Sequence, residues 1–227
     1  MTRLVYDIET AAYPFDSMDV ERQEYLLKFA KTEQEREAEI LKMNLYPYTA
    51  EIVCIGMLNV DSLNGEVLIS APEGSQPWKS EDGAVQYLPM QEKEMLQKFW
   101  ARIAKFDQLI TFNGRGFDGP FLHIRSAIHG IKPTRNLLPY RYDAKDHCDL
   151  QEQLSFYGAF RKFSLDFICK GFGIDSPKAH GVSGLDVVNL HREGKYREIA
   201  EYNARDIFAT RELYLRWNDF INVGKNF

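Results

Sequence analysis

The chain has 227 residues, 44% of them hydrophobic, 13% aromatic and 27% charged, with a net charge of −5. That size suits one large domain, and the balance of apolar and charged residues excludes collagen-like, low-complexity and broadly disordered chains. No apolar run approaches the roughly 18 residues of a bilayer-spanning helix, and Asp7 interrupts any signal-peptide core, so no membrane partner and a cytoplasmic location are expected. Cys54, Cys148 and Cys169 are odd in number and widely spaced, without a C-x-x-C pair. They exclude a disulfide framework and a thiolate zinc site and are expected in the core, and His147 beside Cys148 is too sparse for zinc.

Charge is unevenly distributed. Residues 1–100 hold 18 acids against 9 bases, whereas residues 101–182 hold 12 bases against 8 acids. Lys132, Arg135, Arg141, Lys145, Arg161, Lys162, Lys170 and Lys178 are either an electrostatic footprint for phosphates or a solvated surface, and charge alone decides neither.

In chain order, Leu4–Glu9 alternates as a first strand that places Asp7 and Glu9 on one face. Residues 17–44 read as one charged helix with a patchy apolar stripe of Tyr25, Leu26, Phe29, Ile40 and Leu41, an insertion packed on the domain. Ile52–Leu58 and Glu66–Ile69, joined at Leu63-Asn64-Gly65, predict an antiparallel hairpin. Residues 72–83 read as a polar loop. Glu94–Phe106 has helical spacing and leads into a strand over Gln108–Phe112. Residues 113–119 form a glycine loop, and Pro120 suits the start of a helix running through His129. Residues 130–145 are irregular, His147–Leu150 suits a short strand, and helices are expected near 151–157, 164–171, 185–192 and 196–220. Three antiparallel strands, a helix, a strand and a helical second half predict an α/β fold with helices on the faces of a sheet.

The chemistry lies in the acids. Asp7 and Glu9 share a strand face, Asp118 opens a helix, and Asp206 lies on the last helix with Tyr202 one turn before it on the same face. Carboxylates gathered without bases raise one another's pKa unless hard cations lie between them. Two such cations about 3.5–4 Å apart activate water and stabilise the leaving oxygen in phosphodiester hydrolysis.

Asp7-Ile8-Glu9-Thr10, Asn113-x4-Asp118 and Tyr202-x3-Asp206, in that order, resemble the three motifs of the DEDDy 3′-5′ exonucleases, above all the proofreading domain of family B DNA polymerases and its stand-alone bacterial relatives. The resemblance spans most of the chain, including His147–Leu150 and Ser164-Leu165-Asp166, but not the insertion at about 12–48. It implies a ribonuclease H-like fold, a mixed sheet flanked by helices, in a single exonuclease domain over residues 1–227. It also implies two divalent cations, Mg²⁺ or Mn²⁺, with Asp7 bridging both, Glu9 and Asp206 holding the one that activates water, and Asp118 holding the other partly through water. Glu9 would meet the terminal 3′-hydroxyl and Tyr202 the attacking water or phosphate. Thr10, Asn113, Arg115 and Phe117 are the expected substrate contacts: Asn113 bonds the nucleotide or closes a turn, Arg115 is exposed between glycines, and Phe117 stacks on a base or packs in the core. At the position five before the last acid, where DEDDh relatives carry histidine, this chain has Glu201.

The expected activity is hydrolysis at the 3′ end of single-stranded nucleic acid, most readily DNA, releasing nucleoside monophosphates. An RNA-trimming exonuclease and a catalytically silent nucleic-acid or partner-binding module are the alternatives, and the acidic insertion either docks a protein partner or caps the sheet. Gly114-x-Gly116-x-x-Gly119 also spells a dinucleotide-binding fingerprint. Asp118 inside that turn would repel a pyrophosphate, and no strand ends in an acid about 20 residues on.

Overall fold

The computed structural model describes residues 1–175, 184 and 186–223. Lys178 of the basic set and Leu185 of the helix expected near 185–192 lie outside them. A seven-stranded mixed sheet runs β4-β5-β3-β2-β1-β6-β7. Its inner strand β1 (Arg3–Ala12) is antiparallel to the central β2 (Ala50–Asn59), which is antiparallel in turn to β3 (Gly65–Ile69). On the other side β1 pairs in parallel with β6 (Gln108–Thr111), and β6 with β7 (His147–Asp149).

Strict alternation along β1 sends Leu4, Tyr6 and Ile8 to one face of the sheet and Val5 to the other. The first face packs on α3 (Glu92–Ile103) and α4 (Asp118–Ile128) through Met95, Phe99, Trp100 and Phe121. The second packs on α8 (Tyr196–Phe220), whose Ile199, Asn203, Asp206, Thr210, Leu213 and Trp217 are buried at spacings of three and four residues. Each fully buried aliphatic or aromatic side chain contributes roughly 1.5–3 kcal/mol, so this stripe fixes the long helix on the sheet. The acid that α8 carries is part of the same stripe. The cysteines are buried, as expected.

Three features depart from the sequence reading. The charged stretch at 17–44 forms two helices, α1 (Val20–Leu27) and α2 (Glu33–Lys42). The break falls where Thr32 and Glu35 form a reciprocal capping box, which satisfies backbone donors that a continuous helix would have used internally. Tyr25, Phe29 and Leu41 do not pack on the domain but stand 78%, 83% and 66% exposed, while Leu27 and Met43 are buried. The polar loop contains a two-residue strand, β4 (Trp78–Lys79), and is followed by β5 (Val85–Pro89), which runs parallel to β3 and has no counterpart among the expected strands. The remaining helices are α5 (Leu150–Leu154), α6 (Leu165–Phe172) and α7 (Val187–Arg192), close to their expected positions.

A buried ionic knot ties the insertion to the sheet. The Glu92 carboxylate accepts from the Ile52 amide at 2.8 Å, from Arg125 Nε at 2.8 Å and from His129 Nε2 at 2.7 Å. Arg125 also donates to the Pro47 carbonyl and to the Tyr13 hydroxyl, the two ends of the connection between β1 and β2. Removing one partner strands the other charge in the interior, which costs about 3–5 kcal/mol, whereas an apolar pair of similar volume strands no charge and leaves only the neutral Ile52 amide and Pro47 carbonyl without these partners. Glu92→Ala is therefore expected to lower the unfolding free energy by about 3 kcal/mol in urea titrations. Glu92→Leu/Arg125→Met is expected to recover part of that loss, the remainder being the unsatisfied Ile52 amide and Pro47 carbonyl.

Candidate active site

Asp7 and Glu9 follow Val5 on the face of β1 that looks towards α8, opposite Gly56 and Cys54 of β2. Asp206 comes down from α8, and carboxylate oxygens of Asp7, Glu9 and Asp206 all lie within 4.8 Å of one another. Asp118 stands outside that trio. It occupies the first turn of α4, is 2% exposed, and its Oδ1 accepts from the Ile8 amide at 3.0 Å, between the two β1 acids in sequence. Tyr202 is buried one helical turn before Asp206, and its phenol is hydrogen-bonded to that carboxylate.

Burial and mutual repulsion govern the electrostatics. The Asp7 carboxyl is held well above the usual range by burial first, then by Asp118, Glu9 and Asp206. Glu9 is raised in the same way, by burial and Asp206, against a weaker opposing hydrogen bond from Asn203. Burial pushes Asp118 up to about 7, with Asp149 and Asp206 adding to it. The Tyr202 phenol is raised by burial, Glu9, Asp206 and Asp7, so it keeps its proton and acts as a donor. Among the described residues, no lysine, arginine or histidine forms an ion pair with Asp7, Glu9 or Asp118. Oxygen ligands crowded without basic partners are the donor set that suits hard divalent cations.

Two neighbours of the acids are absent from the sequence reading. Asn203 Nδ2 donates to Asp7 Oδ2 at 2.9 Å and reaches Glu9 Oε1 at 3.5 Å. Its signal is present in the sequence, since a side chain three residues before Asp206 shares that helix face. Gly56 faces it across the sheet, and a Cβ there would lie 2.0 Å from Asn203 Oδ1, so a larger residue would push α8 off the acids.

The expected substrate contacts fare differently. Thr10 is buried and its hydroxyl donates to the Asn44 carbonyl at 2.8 Å, tying β1 to the insertion. Asn113 takes a left-handed φ of 64°, and its carbonyl accepts from the Gly116 and Phe117 amides, which is the turn-closing role. Arg115 is not exposed: its side chain is 8% accessible, ion-paired with Glu152 and bonded to the carbonyls of Pro139 and His147. The glycines on either side leave room for the backbone rather than opening the side chain to solvent. Phe117 is half-buried against Phe121, with ring centroids 5.2 Å apart, and packs on the core of the α3 and α4 face.

The glycine loop offers no phosphate cradle either. The Asn113 and Arg115 amides, each at 2.9 Å, are given to the two oxygens of buried Asp149. A carboxylate of the chain already occupies the place that a pyrophosphate would need. A cleft of about 220 Å³ opens at the acids, lined by Asp7, Tyr202 and Asp206 together with Phe112 and with Ser164, Leu165 and Asp166 at the start of α6.

Comparison with known proteins bears on the family and the fold. Residues 81–223, more than half of the chain, match the family described as "Predicted 3'-5' exonuclease related to the exonuclease domain of PolB". That span includes Asp118, Tyr202 and Asp206 and stops short of β1. The chain is 30% identical over 137 residues to the catalytic subunit of DNA polymerase epsilon from Schizosaccharomyces pombe, covering 56% of this chain and 6% of that protein. It is 25% identical over 184 residues to DNA polymerase 1 of Saccharolobus solfataricus, covering 74% of this chain and 20% of the polymerase. The family B DNA polymerase of Pyrobaculum calidifontis superposes with a TM-score of 0.63 at 16% identity, over 96% of this chain and 24% of that one. The fold is thus the ribonuclease H-like one, and the chain spans a fifth or less of the length of these curated relatives.

The raised carboxyls have a measurable sign. Asp118 holds its proton to about pH 7 in the folded chain but only to 3.8 when unfolded, so between these values the folded state binds more protons. Stability of metal-free protein is expected to fall as pH rises through that window, and Asp118→Asn is expected to flatten the decline. Thermal unfolding in chelator from pH 5 to 8 measures both slopes, and equal slopes would refute the assignment.

Proposed function

The chain belongs to the family of predicted 3′-5′ exonucleases related to the exonuclease domain of PolB, and from that premise we propose that it removes nucleotides one at a time from the 3′ end of single-stranded DNA. The observation that carries this reading is the convergence of Asp7, Glu9 and Asp206 from two elements within 4.8 Å, with Tyr202 bonded to Asp206 in the same cleft. DNA is favoured as substrate because the relatives it matches are named DNA polymerases.

In this reading Asp7, Glu9 and Asp206, with Asp118 beside them, would hold two divalent cations, Mg²⁺ or Mn²⁺, which when bound supply an activated water and neutralise charge on the phosphate. Glu9 meets the terminal 3′-hydroxyl and fixes the end of the strand. Tyr202, protonated at any working pH, donates a hydrogen bond to the attacking water or to a phosphate oxygen. The water oxygen bonds to phosphorus, the bond to the 3′-oxygen of the preceding nucleotide breaks, and that oxygen takes a proton as a nucleoside 5′-monophosphate leaves. Asn203 holds Asp7 and Glu9 in register for this chemistry.

A time course on 5′-labelled DNA and RNA strands of matched sequence, with Mn²⁺, Mg²⁺ or chelator, tests the proposal. A descending ladder that requires metal is expected, faster on DNA; intact substrate in every lane overturns the activity, and a faster RNA ladder overturns the substrate. Asp7→Ala or Asp206→Ala is expected to lower turnover at least about ten-thousandfold, and Tyr202→Phe, which removes one donor, about a hundredfold. Equal losses would mean that the phenol does more than donate a hydrogen bond.

A further inference from the structure

The segment from the end of α5 into α6 exposes aromatic rings in unusual density. Phe156, Phe160 and Phe167 are 54%, 65% and 58% exposed. Phe156 and Phe160 meet edge to face with centroids 5.6 Å apart, and Phe163 stacks on Phe167 at 4.5 Å with an interplanar angle of 10°. The backbone that presents Phe156 and Tyr157 is left-handed at both residues, with φ of 48° and 57°. Aromatic side chains rarely adopt that conformation, and such strain gathers where a surface is shaped for use.

Cations interleave with these rings. The Arg161 guanidinium lies 5.2 Å from the Phe163 ring centroid, Lys162 is exposed beside it, and Lys170 pairs with Asp166 at 3.1 Å. Across residues 156–172, three bases face a single acid, in a chain whose net charge is −5. The strip is also continuous with the active-site cleft. Ser164 caps α6 by accepting from the Phe167 amide, and Ser164, Leu165 and Asp166 line the cleft together with Asp7 and Tyr202. Phe163 immediately precedes these lining residues in the chain.

We propose that this strip is a stacking track for the single strand 5′ of the nucleotide being removed, with the Phe156 and Phe160 rings under successive bases and Arg161 and Lys162 on phosphates. Every base has a π-face, so aromatic stacking holds a strand without reading its sequence, and nearby cations follow its backbone. A nuclease that shortens strands of any sequence needs this kind of hold. The polarity assigned to the strand rests on the exonuclease reading; the strip's affinity for it does not.

Two measurements separate those claims. Asp7→Ala protein, with and without Phe156→Ala/Phe160→Ala, is titrated into fluorescein-labelled dT12 and followed by anisotropy. Losing two stacking rings is expected to weaken binding about 30-fold or more, with circular dichroism unchanged because both rings are exposed. The same two substitutions in otherwise native protein are expected to lower kcat/KM on dT12 to a similar degree and to affect a thymidine dinucleotide, which has a single base 5′ of the bond cleaved and so cannot lie on both rings, much less. Unchanged dT12 binding, no dT12 binding by the Asp7→Ala protein, or equal loss on both substrates overturns the track. So does sedimentation showing that the two substitutions abolish a self-association while strand binding persists, which would make the strip a protein interface. If neither substrate is cleaved, the exonuclease reading fails, and the anisotropy result still decides the track.

Discussion

Like charges forced together in the interior set the terms for this molecule. Asp7, Glu9 and Asp206 converge within 4.8 Å between β1 and α8, Asp118 is buried against β1, and the carboxyls of Asp7, Glu9 and Asp118 are all raised. A fold optimised for stability alone would place a base among them or bring them to the surface. Here the surrounding apolar packing holds them together in spite of their repulsion, which has a function only if a cation or a developing charge enters the cleft. Stability is commonly given up at such places and regained from the rest of the core.

The means of holding them are spread over the whole sheet. Antiparallel pairing of β1 with β2 sets Gly56 opposite Asp7, and the missing side chain admits Asn203. That amide is a neutral donor to both strand acids, and it lets them approach without contributing a positive charge that would compete with a metal. The Ile8 amide does the same for Asp118 from within β1 itself. The distances among four acids drawn from β1, α4 and α8 therefore depend on one glycine, one amide side chain and one backbone N–H.

Much of this is legible in the sequence, and what is not has physical causes. Alternation puts Asp7 and Glu9 on one face, and helical periodicity puts Tyr202 beside Asp206, because both patterns are local. The hairpin after Asn59 is local too. The parallel pairing of β3 with β5 joins segments some 15 residues apart through a polar loop, and Val85–Pro89 is too short and ends in too poor a strand former to announce itself. The break between α1 and α2 carries a readable signature in Thr32-x-x-Glu35, but the charged stretch on either side masks it. Arg115 reads as exposed because its glycine neighbours suggest an open loop, whereas Glu152 and the 137–147 segment, which fold over it, are remote in sequence.

The glycine loop shows why a motif must be read with its surroundings. Glycines at 114, 116 and 119 admit close approach in this chain for internal reasons: a Cβ at Gly114 would meet Thr111 at 2.3 Å, and one at Gly116 would meet Asn113 at 2.6 Å. The amides that a phosphate-binding loop would turn outward are bound by Asp149 instead, and Asp149 also caps α5 through the Gln151 and Glu152 amides. This carboxylate thus joins β7, the loop after β6 and the start of α5 into one unit. Burial is the main cause of the raised Asp118 carboxyl, and the charge of Asp149, the residue that rigidifies the loop, adds to it. A tight turn that resembles a nucleotide cradle serves here to carry one carboxylate from the end of β6 to the edge of β1.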